Sequence, residues 1–392
     1  MERAGSNHEK SKTMKQLLCS LLLLAGVAIP SLAADTPAKN GAAADVPAFK
    51  SRLRTATTRH LNLLLDADGS VASLKGKGGD GEEALAFYRV FEITGDQRFR
   101  MAAMTLTDRV LKDMRATKFG VLPLKEKEKP GGKTFIGGGP PAMGFYVANA
   151  AYVLHREGGR AEDLKYLAKV LDEYPWNAEG WWSADIDVKT GESKQPLTKP
   201  SPINKTAAMA MAAGMLSEAL REIAPEISAR LKAKADKCIY AQVIPAQLPD
   251  GFWHYGLTEN DPKNKDVLGY FMVTTHVLME LQHFNAAYRE PKLDAAIRKA
   301  QAFALACIAP MTDPNTGPAC AAHTTPSTPK HYVLADEPKR GFQLGLILIG
   351  AGEFGEGIKI MDASLKHFDY GNAGMDGVHA AAPSAAILSL LR

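Results

Sequence analysis

The chain has 392 residues, of which 46% are hydrophobic and 23% are charged, so it holds ample apolar material for a large core. The formal net charge is only +4, and no basic run stands outside the first residues. This balance argues against a nucleic-acid partner.

The N-terminus has the pattern of a secretory signal peptide. A charged start precedes a short apolar run that ends in small residues. We therefore expect residues 1–33 to be a signal peptide, with Met14 as an alternative start, and residues 34–45 to be a disordered leader. The alternative is a membrane anchor, but the run is shorter than the about 20 residues that a span needs. The expected location is secreted or periplasmic, without membrane attachment after cleavage.

Helical periodicity dominates the rest of the chain. Apolar residues recur every three or four positions, and the helices come in pairs joined by short turns with Gly or Pro. The predicted helices span about 46–65, 82–93, 97–115, 141–155, 162–174, 203–222, 226–243, 267–287, 292–308, 339–351, 356–367 and 381–391. This pattern predicts an all-α fold, an (α/α)6 toroid of six helical hairpins, with residues 46–392 as a single domain.

The connections between hairpins are long and rich in Gly, Pro, Asn, Asp and aromatic residues. They cover about 116–140, 175–202, 245–266, 309–338 and 368–380. Long connections in a compact domain are usually functional. In a ring of hairpins the short turns share one end, so we expect these connections to gather over a cleft at the other.

Two short segments resemble a known superfamily. The stretch ITGDQRFRMA (93–102) resembles an inter-helix turn of the six-hairpin glycosidase-like, (α/α)6 toroid, superfamily. The stretch DGFWHYGLTEN (250–260) is similar to a loop of unsaturated glucuronyl and rhamnogalacturonyl hydrolases and of helical polysaccharide lyases. Those hydrolases have an acidic residue opening the helix that aligns with 141–155, and this sequence has none there. The resemblance implies a carbohydrate-active enzyme.

All four tryptophans lie in two of the long connections. They are Trp176, Trp181, Trp182 and Trp253. Indole rings are amphipathic and tolerate solvent exposure, and the apolar face of a sugar can stack on them. We therefore expect these tryptophans to bind substrate. The alternative is that they plug the barrel mouth or pin the loops.

Acidic residues beside these rings are the candidates for glycoside hydrolysis. Two carboxyl groups are needed, about 5–5.5 or 6.5–9.5 Å apart. Asp185 and Asp187 follow the tryptophan pair, and Glu259 follows the second aromatic cluster. Each has the alternative of being a solvated loop acid.

Elimination from a uronic acid would use other groups. His254 or Tyr255 would be the base, and Asn204 and Lys205 would neutralise the sugar carboxylate. The alternative for Asn204 is that it caps the helix that begins near it.

No metal or other cofactor is expected. His276, Glu280 and His283 share one helix face, but a polar outer face explains this spacing. Of four cysteines, Cys238, Cys307 and Cys320 follow the signal segment. Cys307 and Cys320 are the candidate disulfide pair, with a buried Cys307 thiol as the alternative.

These observations together predict a secreted or periplasmic, monomeric enzyme that hydrolyses the glycosidic bonds of a polysaccharide or oligosaccharide, either neutral or acidic. The alternatives are a polysaccharide lyase with a His or Tyr base, and a non-catalytic glycan-binding protein on the same scaffold.

Overall fold

Nine long helices form the framework of the described structure. The computed structural model describes residues 46–71, 80–117, 126–127, 135–136, 144, 146–182, 186, 203–249, 251, 253, 277–278, 281, 288–313, 317–325, 328–333, 345, 348–349 and 354–367. The helices are α1 (Val46–Leu64), α2 (Asp80–Thr94), α3 (Gln97–Arg115), α4 (Val147–Glu157), α5 (Ala161–Glu173), α6 (Ile203–Leu220), α7 (Pro225–Cys238), α8 (Pro291–Cys307) and α9 (Phe354–His367). A π-helical turn, Ile239–Val243, continues α7. The predicted leader and the helix at 381–391 lie outside the described residues.

The helices pair as hairpins, and local sequence explains where each turn falls. Between α2 and α3, Gly95 takes a φ of +75°, a conformation that glycine adopts without steric cost. Asp96 then caps α3 because its carboxylate accepts the backbone N–H of Arg98 at 3.0 Å. Between α6 and α7, Pro225 opens the second helix at a position that needs no N–H donor.

Two kinds of helix are distinguished by burial. In α6, 14 of 18 residues are buried, which marks a helix enclosed on all sides. In its hairpin partner α7 only 4 of 14 are buried, on a single stripe. Alanine and glycine let the enclosed helices approach closely: a Cβ at Gly144, just before α4, would lie 2.7 Å from Cβ of Ala208.

Neighbouring hairpins pack side by side as a toroid requires. Helix α2 contacts α4, and α4 contacts α6, so the first helices of successive hairpins form one layer. Helix α1 contacts α9, near the far end of the chain, and Arg52 pairs with Asp362 across that contact at 3.0 Å. The chain therefore curves back on itself, as the predicted ring requires.

Strands occur in two of the connections that the sequence analysis treated as loops. A short ribbon pairs β1 (Glu126–Lys127) with β2 (Phe135–Ile136). A three-stranded antiparallel sheet of β3 (Ile308–Asp313), β4 (Gly317–Thr325) and β5 (Thr328–Val333) has the order β3-β4-β5. The prediction of an irregular loop over 309–338 is therefore wrong for most of that segment, although the framework remains helical.

None of the helices in the described ranges combines the length and the apolarity needed to cross a bilayer.

Candidate functional site

The first tryptophan connection folds as a tight turn beyond α5. The Asn177 side-chain oxygen accepts the backbone N–H groups of Glu179 at 3.1 Å and Trp181 at 2.9 Å. Trp176 and Trp182 then face each other in an antiparallel bridge, with ring centroids 4.5 Å apart and ring planes at 63°. An edge-to-face pair of this kind is favourable, so the two indoles hold the turn together.

The second tryptophan connection is pinned against α8. Gly251 has a φ of +102°, and a Cβ there would lie 2.4 Å from the Lys299 carbonyl oxygen. The Gln247 side-chain amide donates to the carbonyls of Gly251 at 3.0 Å and Ala296 at 2.9 Å. The absence of a side chain at Gly251 therefore lets the backbone there lie directly on α8.

Both connections meet at the π-helical turn that ends α7. Within the turn, the N–H of Ile244 donates to the carbonyl of Ile239 at 2.9 Å, five residues back. The Gln242 side chain donates to the carbonyl of Glu179 in the first connection. The indole N–H of Trp253, in the second connection, donates to the carbonyl of Val243 at 2.7 Å. We call residues 239–243 the anchor turn.

The tryptophan rings point mostly into the protein. Trp182 and Trp253 are 1% and 0% exposed, Trp181 is 8% exposed, and Trp176 is half-buried. All four belong to or pack against one hydrophobic cluster. The expectation of exposed rings at a rim is wrong for Trp181, Trp182 and Trp253, because the turns described above direct them inward. A substrate-binding role for these residues remains a prediction.

Two other predicted residues lie in the first turn of α6. The helix begins at Ile203, so Asn204 stands inside it and is not its N-cap. The Asn204 side-chain oxygen is buried and has no hydrogen-bond partner in the described structure. Lys205, beside it, is half-buried. An amide oxygen that is buried without a partner is costly in free energy, so it marks a place where a ligand donor would be stabilising.

Tyr240, in the anchor turn, was not singled out by the sequence. Its hydroxyl is buried and, like the Asn204 oxygen, has no hydrogen-bond partner in the part of the chain that the structure describes. The ends of α6 and α7 are neighbours here, since the Cys238 thiol contacts the carbonyl of Thr206 at 3.5 Å. No sequence signal points to Tyr240, because the spacing of apolar residues over 226–243 predicts one regular helix with no π-helical turn.

The predicted catalytic residues Asp185, Asp187, His254, Tyr255 and Glu259 lie outside the described residues, as do His276, Glu280 and His283. Among the residues that are described, no three His, Cys, Asp or Glu side chains lie together as a metal site requires. Cys238 is buried and forms no disulfide within the described residues, as expected if Cys307 pairs with Cys320. That pairing itself remains a prediction.

Ionisable residues also cluster at the other end, where the short turns lie. The Glu92 carboxylate accepts the Tyr152 hydroxyl at 2.9 Å and Arg156 at 2.8 Å. Burial raises the pKa of Tyr152 to about 12. Burial has the opposite effect on a base, and it lowers the pKa of His155. Because the Glu92 carboxylate bonds both α4 side chains, this cluster ties α2 to α4, and we assign it to the framework.

Comparison with known proteins identifies the fold. No protein-family model and no curated protein sequence matches the chain. Solved structures do match. A cellobiose 2-epimerase from Bacillus thermoamylovorans has a TM-score of 0.57 at 12% identity, covering 82% of this chain and 86% of that one. A D-mannose isomerase has a TM-score of 0.55 at 14% identity, covering 90% and 99%.

A glycoside hydrolase family 76 mannosidase from Bacteroides thetaiotaomicron has a TM-score of 0.53 at 10% identity, covering 88% of this chain and 98% of that one. The chain therefore has the (α/α)6 toroid fold, which it shares with these solved structures. The prediction of the fold is thereby confirmed, and so is the expected structural resemblance to other (α/α)6 toroid proteins. Identities this low establish the fold alone.

Proposed function

We propose that the chain is a carbohydrate-active enzyme that hydrolyses glycosidic bonds of a polysaccharide or oligosaccharide. Its fold is shared with an epimerase, an isomerase and a mannosidase whose names all specify sugars. The proposed site lies at the end of the toroid where the tryptophan connections meet the anchor turn.

One observation carries the position of this site. Asn204 and Tyr240 present a buried acceptor and a buried hydroxyl, both without hydrogen-bond partners in the described structure. Both belong to the end of the α6–α7 hairpin that is remote from its short turn. Sugar hydroxyls both donate and accept hydrogen bonds, so a saccharide would satisfy both atoms. The half-buried Trp176 adds an apolar surface at the same end.

Hydrolysis is the proposed reaction because the adjoining connections supply more acids than cations. Asp185 or Asp187 would protonate the leaving oxygen, with a second carboxylate, such as Glu259, as nucleophile or base. Elimination by His254 or Tyr255 is the competing reaction, and it requires a uronic acid substrate.

Epimerisation or isomerisation is a second candidate. Two of the three solved structures named above are a 2-epimerase and an isomerase. Epimerisation removes a proton from one carbon and returns it to the opposite face, and isomerisation moves it to the neighbouring carbon. Both leave glycosidic bonds intact, so their products differ from those of hydrolysis.

The test is product analysis with the full chain on a panel of neutral and acidic saccharides. Hydrolysis releases reducing ends, elimination creates an unsaturated uronyl product with ultraviolet absorbance, and isomerisation changes sugar identity without new ends. Single variants assign the residues: Asp185→Asn, Asp187→Asn, His254→Ala, Tyr255→Phe and Glu259→Gln, with Glu173→Gln as a control because that side chain is 67% exposed on α5.

We expect at least one variant of Asp185 or Asp187 to lose activity by about 100-fold or more, as the removal of a general acid does. The Glu173 control should keep full activity. Saccharide binding without any product would replace the proposal with a glycan-binding protein. Full activity in all five variants would disprove the catalytic assignment.

We also propose that the enzyme is exported, on the basis of the signal-like segment at residues 1–33. Cell fractionation and N-terminal sequencing of the mature chain test this. Recovery from the cytoplasm with an intact N-terminus would contradict it.

A further inference from the structure

Helix α1 carries positive charge without any acidic residue of its own. Its 19 residues include Lys50, Arg52, Arg54 and Arg59, and no Asp or Glu. Arg52 is neutralised by Asp362 of α9. Arg54 and Arg59 are exposed and have no carboxylate partner in the described ranges. Among the described residues, nothing neutralises these two guanidinium groups, which α1 presents to solvent.

These two arginines border a groove of about 660 Å³. The groove extends from α1 to Thr94, the last residue of α2, which precedes the short turn to α3. It therefore reaches the end of the toroid opposite the anchor turn. The α1 side chains that line it include Arg54, Arg59, Ser51, Thr55, Thr58 and Asn62.

The order of these side chains around the helix is specific. At about 100° per residue, Arg54 and Arg59 stand about 140° apart, with the hydroxyl and amide side chains between them. Along the axis the two arginines are separated by about 7.5 Å. The opposite face is fully buried at Phe49 and Leu53. The groove face thus has a neutral hydrogen-bonding stripe between two cations.

We propose that this groove binds an acidic saccharide, one whose sugars carry carboxylates. Guanidinium groups bind carboxylates through two parallel hydrogen bonds, and the hydroxyl and amide side chains between them match the hydroxyls of the same sugars. The exposed side chain of Leu63, at the Arg59 edge, offers an apolar contact for a sugar face. The inference rests on the proposed function in assuming a saccharide, but it places a second site away from the catalytic end.

Nucleic acid is a poorer match for this surface. Nucleic-acid affinity comes from many phosphate contacts, and it needs an extended basic track. The groove supplies two arginines in a chain with a net charge of only +4. Four of the six α1 side chains named above are uncharged hydrogen-bonding groups, which suits hydroxyl-rich ligands better than a phosphate backbone.

The test compares the full chain with the Arg54→Ala/Arg59→Ala double variant by affinity electrophoresis. The probes are polygalacturonate, neutral mannan and duplex DNA. The matched control is Lys292→Ala/Arg298→Ala, which removes the same charge from two exposed residues of α8. All four positions are exposed, so circular dichroism should show unchanged folding in both variants.

We expect polygalacturonate to retard the native chain and the Arg54/Arg59 variant to lose at least tenfold in affinity, while the α8 control keeps native affinity. Equal losses in both variants, an equal effect on duplex DNA, or no retention by polygalacturonate would each overturn the proposal. Turnover of short soluble saccharides should be unchanged in the groove variant. Absence of any turnover by the native chain would instead count against the proposed function and leave the binding comparison intact.

Discussion

Trp253 gives the sharpest test of how the second connection is held. Its ring is 0% exposed, and its indole N–H donates to the carbonyl of Val243 at 2.7 Å. A fully buried indole removes about 150–250 Å² from water, worth about 4–6 kcal/mol at about 25 cal/mol/Å². Trp253→Ala keeps little of this contact and leaves a cavity, so it should cost about 3–5 kcal/mol of unfolding free energy.

Trp253→Phe separates packing from hydrogen bonding. Phenylalanine keeps most of the apolar contact but leaves the Val243 carbonyl without the indole donor, so we expect a loss of about 1–3 kcal/mol. Urea denaturation followed by circular dichroism measures both variants. Met101→Ala is the control, because that side chain is 64% exposed and its truncation should change stability by less than about 0.5 kcal/mol. A loss below about 1 kcal/mol for Trp253→Ala would refute the packing role.

Three further predictions concern the framework. Gly251→Ala should destabilise the fold by at least about 2 kcal/mol more than Gly95→Ala in thermal melts, because both have positive φ but only Gly251 faces a carbonyl that the new Cβ would strike; equal losses would exclude the clash. Ser228→Ala should cost about 1–2 kcal/mol in urea, since its buried hydroxyl bridges α6 and α7; an unchanged midpoint would show the bridge to be neutral. Arg100 lowers the pKa of Glu157, so the stabilisation by this pair is present at neutral pH and is lost as the pH falls through the folded-state pKa. Glu157→Gln should therefore lose about 1 kcal/mol at pH 7, and this difference should shrink as the pH falls through the folded-state pKa; a pH-independent difference would contradict this.

The helical framework was predictable because its signals are local. The turn at Gly95 and Asp96 and the apolar stripe that follows specify Gln97–Arg115 in the residues themselves. The sheet at 308–333 carries no such signal. Its prolines break any alternation, and the structure tolerates them because Pro310 and Pro329 lie on edge strands and Pro318 is near a strand start.

The site was predictable only in part, for a different reason. Composition singled out the tryptophan connections, and the structure brings those two together at the anchor turn, while their role in a site remains a prediction. Whether a ring faces solvent or core depends on backbone geometry at Gly180 and Gly251, which composition does not encode. Tyr240 was missed because it lies in a π-helical turn of only five residues. One extra residue per turn over so short a stretch does not change the spacing of apolar residues enough to be recognised in the sequence.

The anchor turn couples the positions of two connections that are distant from each other in the sequence. The Gln242 side chain donates to the carbonyl of Glu179, 63 residues earlier in the chain. The neighbouring carbonyl, that of Val243, accepts the indole N–H of Trp253, ten residues later. A shift of these five residues would therefore move both tryptophan connections together. A substitution there would therefore displace both tryptophan connections, although it lies in neither of them in the sequence.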